Sequence, residues 1–176
     1  MAGLIDIGAE AIDRVSSNTV MTSVNKGNPA NASGKITSVE IYANSNMTGA
    51  IVATFYRPDP TGSPNYLVAR DHYEIGSVTS GSKQTFTVDL NVEEGDYLGI
   101  YYSGGAIEND VSGGDGVWIQ GGNRTETTGN IFILSADNAL SLYATGTTAI
   151  GLPVTFNGAT ISKWNDTTIS KWNGVE

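Results

Sequence analysis

The chain has 176 residues, 22 of them glycine, and 18 acidic against 9 basic side chains give it a formal charge of −9 at pH 7. This length predicts one domain of ordinary size, whose hydrophobic core needs no cross-links. With no cysteine and one histidine, the sequence excludes thiolate zinc sites, iron–sulfur clusters, cysteine nucleophiles, disulfide scaffolds and multi-histidine metal sites. The pI of about 4.4 and the scattered basic residues argue against nucleic acid as a partner, because phosphate binding needs clustered Lys and Arg.

The N-terminal residues and the hydropathy of the chain predict no membrane partner. Residues 1–8 lack the basic region and the continuous apolar stretch of a secretory signal. No run reaches the roughly 18 apolar residues that a membrane span requires. We therefore expect a soluble protein that is not secreted by the classical route.

Two early segments, residues 35–43 and 50–56, alternate apolar and polar side chains, which predicts strands with one buried face. In the first segment the alternation places Thr37 on the same side as Val39. Residues 44–49, Asn-Ser-Asn-Met-Thr-Gly, supply turn chemistry between the two strands. We therefore expect a turn there.

The clearest strand is predicted at residues 84–92, where four apolar side chains alternate with polar ones. A turn at 93–96 and a second run at 97–102 follow, so the pair is predicted to form a hairpin. Apart from a short turn around residues 9–14, no segment has a helical apolar stripe. Further strands are predicted at residues 19–24, 66–75, 117–120, 131–134 and 139–144.

About ten short strands punctuated by Gly, Asn, Pro and Asp predict an all-β fold, an antiparallel β-sandwich of the jelly-roll type over residues 1–152. A closed up-and-down barrel is the alternative architecture. Uneven loops, such as the Gly-rich stretch at 103–116, favour the sandwich.

The C-terminal tail, residues 153–176, contains an octad repeat whose units align on Phe156, Trp164 and Trp172. Asn-Gly or Asn-Asp follows each aromatic residue and marks a tight turn, so each unit is predicted to be a turn followed by a short β-strand. Ile161 and Trp164 are an odd number of positions apart, so an ideal strand would carry apolar groups on both faces.

The body and the tail together resemble a viral family. Residues 28–41, 75–86 and 112–118 resemble an uncharacterised β-sandwich domain of phage, prophage and environmental viral sequences, and the tail is similar to the Lys-Trp-Asn or Lys-Ile-Asn-Gly repeats that close many phage structural proteins. The resemblance implies a non-enzymatic virion component, such as a capsid decoration, tail-associated or fibre protein, assembled in the host cytoplasm. Its partners would be other virion proteins and copies of itself.

The tail has two interpretations. It folds back on the sandwich or is partly disordered, or its apolar side chains contact a neighbouring subunit or another virion protein. The contact residues under the second interpretation are Phe156, Ile161, Trp164, Ile169 and Trp172.

Catalysis is not expected, because His72 is the only imidazole and would have to serve any Ser-His-Asp site. Its neighbour Asp71 points to the opposite face of the predicted strand, and no Gly-x-Ser-x-Gly motif is present. We therefore expect a protein that is not an enzyme.

Calcium is the one cofactor that the sequence allows. Glu108, Asp110 and Asp115 lie with Asn109 in the Gly-rich stretch, and hard oxygen ligands suit Ca²⁺. The alternative is a solvated acidic loop, because calcium takes six or more oxygens and the Asp-x-Asp-x-Asp-Gly spacing is missing.

A carbohydrate-binding module is the alternative function. Trp118 beside Gln120, together with Tyr101, is predicted to form a sugar-stacking platform. Further rings of this platform are Tyr42, Tyr56 and Tyr97. In the competing interpretation, Trp118 packs in the core.

Overall fold

A computed structural model describes residues 3–59, 62–126, 128–148, 154–156 and 159–161, the last two ranges as backbone only. These residues form 15 strands and no helix, and every strand pair is antiparallel. The predicted all-β, antiparallel, sandwich-like fold is therefore confirmed.

The strands in chain order are β1 Leu4–Ala9, β2 Ser16–Asn18, β3 Thr22–Asn25, β4 Gly34–Tyr56, β5 Tyr66–Val78, β6 Lys83–Val92, β7 Tyr97–Tyr101, β8 Gly104–Asp110, β9 Val117–Gln120, β10 Asn130–Ile131, β11 Ile133–Ser135, β12 Ala139–Leu140, β13 Leu142–Thr148, β14 Val154–Phe156 and β15 Ala159–Ile161.

Strand β4 organises the fold, because its two halves lie in different layers. The first half pairs with β13 and β6, and the second half pairs with β7 and β5. Residues 44–49, predicted as a turn, instead continue β4 through a bend with irregular register against β8. Gly105 of β8 permits the close approach, since a Cβ atom there would lie 2.2 Å from the Asn46 carbonyl oxygen.

Two layers result from this bend. The first has the strand order β1-β13-β4-β6, and the second has the order β5-β4-β7-β3-β9-β11. The predicted hairpin of β6 and β7 is wrong, because β6 belongs to the first layer and β7 to the second. The turn at 93–96 therefore crosses from one layer to the other.

The main core lies between the layers. A bulge at Thr37 shifts the register of β4 against β13, so Ile36 is buried and Thr37, predicted as buried, is exposed. Large members of this core are Ile5, Ile7, Ile36, Ile41, Met47, Leu90, Leu98, Ile100, Tyr102 and Leu142.

A second, smaller core covers the other face of the second layer. Phe55 of β4 points into it, and its ring packs edge-on against Phe132 with centroids 5.9 Å apart. Phe132 lies between β10, which pairs with β5, and β11, which pairs with β9. The segment around Phe132 thus connects opposite sides of this layer, which buries both faces of the second half of β4.

The outer edge of β1 is covered by two asparagines from the 28–31 loop. The Asp6 amide donates to Asn31 Oδ1 at 3.0 Å, and the Gly8 amide donates to the Asn28 carbonyl at 2.9 Å. Asn28 Nδ2 returns a hydrogen bond to the Gly8 carbonyl at 3.0 Å. These bonds occupy the edge groups that another strand would otherwise pair with.

The tail is described only in part. β14 and β15 pair, with Val154 opposite Ile161 and Phe156 opposite Ala159. This agrees with a strand after the first turn of the repeat. The boundary predicted between residues 152 and 153, and the predicted contact residues Trp164, Ile169 and Trp172, lie outside the described residues.

Candidate functional site

A cleft of about 350 Å³ opens where β4, β5 and the turn before β7 meet. Two tyrosines, two arginines and the acidic turn line it, namely Tyr56, Arg57, Arg70, Glu93, Glu94, Gly95, Asp96 and Tyr97. Its position follows from the fold, because the 93–96 turn crosses between the layers beside the ends of β4 and β5. We treat this cleft as the candidate site.

Arg70 is fixed at the centre of the cleft by carboxylates. Its Nε donates to Asp96 Oδ2 at 2.5 Å and its Nη2 to Asp96 Oδ1 at 3.1 Å, while Nη1 lies 3.0 Å from Glu93 Oε1. Asp96 is 2% exposed and also accepts the Glu93 amide. The hydrogen bonds that Arg70 donates to Asp96 raise the pKa of Arg70 above its ordinary value, so the guanidinium is a permanent, positioned charge.

Two aromatic rings are held in the same cleft. The Arg70 Cζ atom lies 4.6 Å from the centroid of the Tyr56 ring, and the Tyr97 ring meets Trp118 edge-on with centroids 4.9 Å apart. Both tyrosines are half-buried. The cleft therefore combines oriented rings with hydrogen-bond donors and acceptors, a combination that suits a ligand bearing hydroxyl groups.

Trp118, predicted as the main sugar-stacking ring, is a core residue. It is 2% exposed, belongs to the second core, and donates from Nε1 to Asn65 Oδ1 at 2.9 Å. The prediction is corrected because a ring covered on its faces cannot stack on a sugar. The position of Trp118 agrees with the alternative interpretation, in which it packs in the core.

Gln120 and Tyr101, predicted beside Trp118 in that platform, are half-buried. Gln120 uses its amide locally, since Nε2 donates to the Ile131 carbonyl at 2.9 Å and Oε1 accepts the Gly121 amide at 3.0 Å. Neither residue lines the cleft; of the rings predicted for the platform, Tyr56 and Tyr97 do.

The carboxylates predicted to bind calcium serve other purposes. Glu108 and Asp110 lie in β8 instead of a loop, and both face Arg14, which forms an ion pair with Asp110 and donates its backbone amide to Glu108 Oε2 at 3.3 Å. Asp115 is exposed and lies in the loop beside Gly27. Over the part of the chain that the structure describes, no group of three His, Cys, Asp or Glu residues is placed to hold a metal.

His72 is exposed on β5. The adjacent Asp71 turns to β6, where its Oδ2 accepts the Asn91 amide at 2.8 Å and Asn91 Nδ2 at 2.7 Å. Asp71 thus ties the edges of the two layers together.

An exposed apolar surface lies along the segment that covers the second core. We call it the apolar edge patch. Ile131 and Ile133 flank buried Phe132 and are 64% and 67% exposed. Tyr66, opposite Ile131, completes the patch at 38% exposure. The sequence predicted a strand here but not its outward face, because Ile131, Phe132 and Ile133 are all apolar.

Two tyrosines give stability a predicted dependence on alkaline pH. Burial raises the pKa of Tyr102 well above 10, and its hydroxyl donates to the Asn18 carbonyl at 2.6 Å. The hydrogen bond to Asp6 raises the pKa of Tyr143 to about 12. A raised folded-state pKa means that this stabilisation is complete below the unfolded pKa of about 10 and is lost as pH rises through the folded values.

We therefore expect the free energy of unfolding to fall between about pH 10 and pH 12. In urea titrations over this range, Tyr102→Phe should lose less stability than the unchanged protein. Tyr73→Phe, at an exposed tyrosine, is the control and should follow the unchanged protein. Equal slopes for Tyr102→Phe and the unchanged protein would contradict the assignment.

No helix among the described residues is long and apolar enough to span a membrane. Comparison with known proteins finds no matching family model, no matching curated protein and no matching solved structure.

Proposed function

We propose that this protein is a non-enzymatic structural component of a bacteriophage particle, a capsid decoration or a tail- or fibre-associated protein that acts through protein–protein contacts. It is made in the host cytoplasm and needs no cofactor. Its partners are other virion proteins and further copies of the same chain.

The apolar edge patch carries this proposal. Ile131 and Ile133 stand outward on a rigid strand segment whose intervening residue, Phe132, is anchored in the second core. Exposed apolar side chains held on a fixed backbone are typical of protein contact surfaces, because their burial by a partner is favourable and costs little ordering. Patch and cleft are separate features, so contact and ligand binding can be tested independently.

The resemblance of residues 28–41, 75–86 and 112–118 to a phage β-sandwich domain supports the same role. The octad repeat adds a second set of apolar contact residues, Phe156, Ile161, Trp164, Ile169 and Trp172. A sandwich without disulfides also suits assembly in a reducing cytoplasm.

Electron microscopy and native mass spectrometry of the purified full chain test the proposal. We expect rings, filaments or other assemblies larger than a dimer, and we expect Ile131→Ser/Ile133→Ser to reduce them without lowering the melting temperature. Leu4→Ser, at an apolar side chain that is 79% exposed on β1, is the matched control. Assembly that is absent in the unchanged chain, or that survives the double substitution, would count against the role of the patch.

The cleft supports a second candidate function, carbohydrate binding through Tyr56 and Tyr97. A glycan array followed by calorimetry with the best oligosaccharide tests it. Tyr56→Ala should abolish binding, whereas Tyr73→Ala, at an exposed tyrosine on β5 outside the cleft, should not. An array without any signal, or equal binding by both variants, would remove this candidate.

A further inference from the structure

We propose that strand β6 is a self-association edge, which pairs antiparallel with β6 of a second copy about a two-fold axis centred on Phe86. This inference deepens the assembly role proposed above by naming one partner and its register. It is carried by the geometry of β6 and does not need the virion assignment.

The edge of β6 is long and lacks a cover over most of its length. Among the described strands, only β4 pairs with this strand of 10 residues. Cover is found at one end, where Asp71 accepts the Asn91 amide at 2.8 Å and Thr54 donates to the Asn91 carbonyl at 2.8 Å. Apart from β4, no described residue hydrogen-bonds to the backbone of the stretch from Lys83 to Asp89.

Strand β1, at the opposite edge of the same layer, is covered. There, Asn28 and Asn31 hydrogen-bond to β1 and block strand pairing. Natural sheets usually protect long edges in such ways, because an open edge is a template for another strand. One blocked edge and one open edge in the same layer indicate that β6 is available for pairing.

The charges along β6 are self-complementary. Lys83, Thr85, Thr87 and Asp89 are all exposed on one face. In an antiparallel pair centred on Phe86, Lys83 lies opposite the partner's Asp89, and Thr85 lies opposite the partner's Thr87. A parallel pair in register would place like charges together, which is unfavourable. The sequence of this strand therefore selects the antiparallel arrangement.

The other face of β6 contributes an apolar contact. Phe86 is half-buried against the main core, and the two-fold axis would bring the two Phe86 rings side by side. A bulge between Thr87 and Leu90 interrupts the regular pairing with β4, which resumes from Leu90 to Val92. The seam is therefore short, and the long Lys83 side chain reaches Asp89 at each end.

Lys83 and Asp89 each form an ion pair within the chain, and these ion pairs would continue across the seam. Lys83 Nζ lies 2.9 Å from Glu40, and Lys35 Nζ lies 2.7 Å from Asp89. Pairing two copies would join these into a line of alternating charges at each end. Because exposed pairs contribute little to folding, substituting them leaves the monomer intact.

Charge reversal tests the register. By sedimentation equilibrium, the unchanged chain should show a monomer–dimer equilibrium, and either Lys83→Glu or Asp89→Lys should raise the dissociation constant at least about tenfold, because each places like charges together at both ends. Lys26→Glu and Asp13→Lys change net charge equally at exposed positions elsewhere and should leave the constant unchanged. Melting temperatures confirm that each variant is folded.

Mixing the two variants gives the decisive result. A heterodimer of Lys83→Glu with Asp89→Lys places opposite charges together at both ends, so native mass spectrometry should detect it in preference to either homodimer. The proposal would be overturned if the unchanged chain stayed monomeric at every concentration. It would also be overturned if the mixture showed no enrichment of the heterodimer. If Lys83→Glu still formed larger assemblies, the apolar edge patch would remain as a separate contact. The two proposals can therefore fail independently.

Discussion

Replacing Arg14 with methionine is expected to lower the free energy of unfolding by about 1.5–3 kcal/mol, because it leaves the partly buried Asp110 carboxylate without its cation. The Arg14 side chain is 8% exposed and pairs with Asp110, whose side chain is 29% exposed. Arg14 also donates from Nε to Ser141 at 2.8 Å. Urea unfolding at neutral pH measures the change.

The exposed pair Lys35–Asp89, with side chains 45% and 74% exposed, supplies the control. Lys35→Met should cost less than about 1 kcal/mol, since solvent screens this pair. The double variant Arg14→Met/Asp110→Asn should be less destabilised than the sum of its single changes, because removing both charges relieves the unpaired state. An Arg14→Met variant as stable as Lys35→Met would contradict the partly buried ion pair.

Trp118→Ala is expected to cost about 3–5 kcal/mol, the range for removing a large aromatic side chain from a packed core. It would remove the edge contact with Tyr97 and leave Asn65 Oδ1 without its indole donor. Trp118→Phe keeps most of the packing and should cost less. Thermal and urea unfolding of both variants measure the difference.

Gln120→Ala is the comparison within the same strand, since Gln120 is half-buried and bonds only to nearby backbone. It should change stability by less than about 1 kcal/mol. If Trp118→Ala were as mild as Gln120→Ala, the ring would not be the core element that its burial indicates.

Local pattern was sufficient to predict individual strands. The alternation at 84–92 is confirmed as β6, with Val88, Leu90 and Val92 buried and Phe86 half-buried. This prediction succeeds because period-two burial needs only one covered face, which a short window of sequence can reveal.

Long-range pairing was not predictable in the same way. The turn-forming residues 44–49 bend a continuous strand because β8 supplies backbone partners there, and those partners come from far along the chain. Likewise, the short 93–96 turn is compatible with a hairpin, but β4 separates β6 and β7 into different layers. Local turn chemistry does not specify which sheet each flanking strand joins.

The candidate site shows the same division. Aromatic size pointed to Trp118, but the segment around Phe132 forms a second core that covers it. Tyr56 and Tyr97 are distant in sequence, and the crossing turn brings them together with Arg70. The sequence does show an acidic turn between two strands, with tyrosines nearby. That these residues line a cleft follows only from the arrangement of the two layers.

Sedimentation velocity of the unchanged full chain over a wide concentration range tests most directly whether this protein works by assembly. We expect species larger than a monomer that grow with concentration through β6 and the apolar edge patch. A single monomeric species throughout, in a chain whose melting temperature shows that it is folded, would contradict a role in assembly.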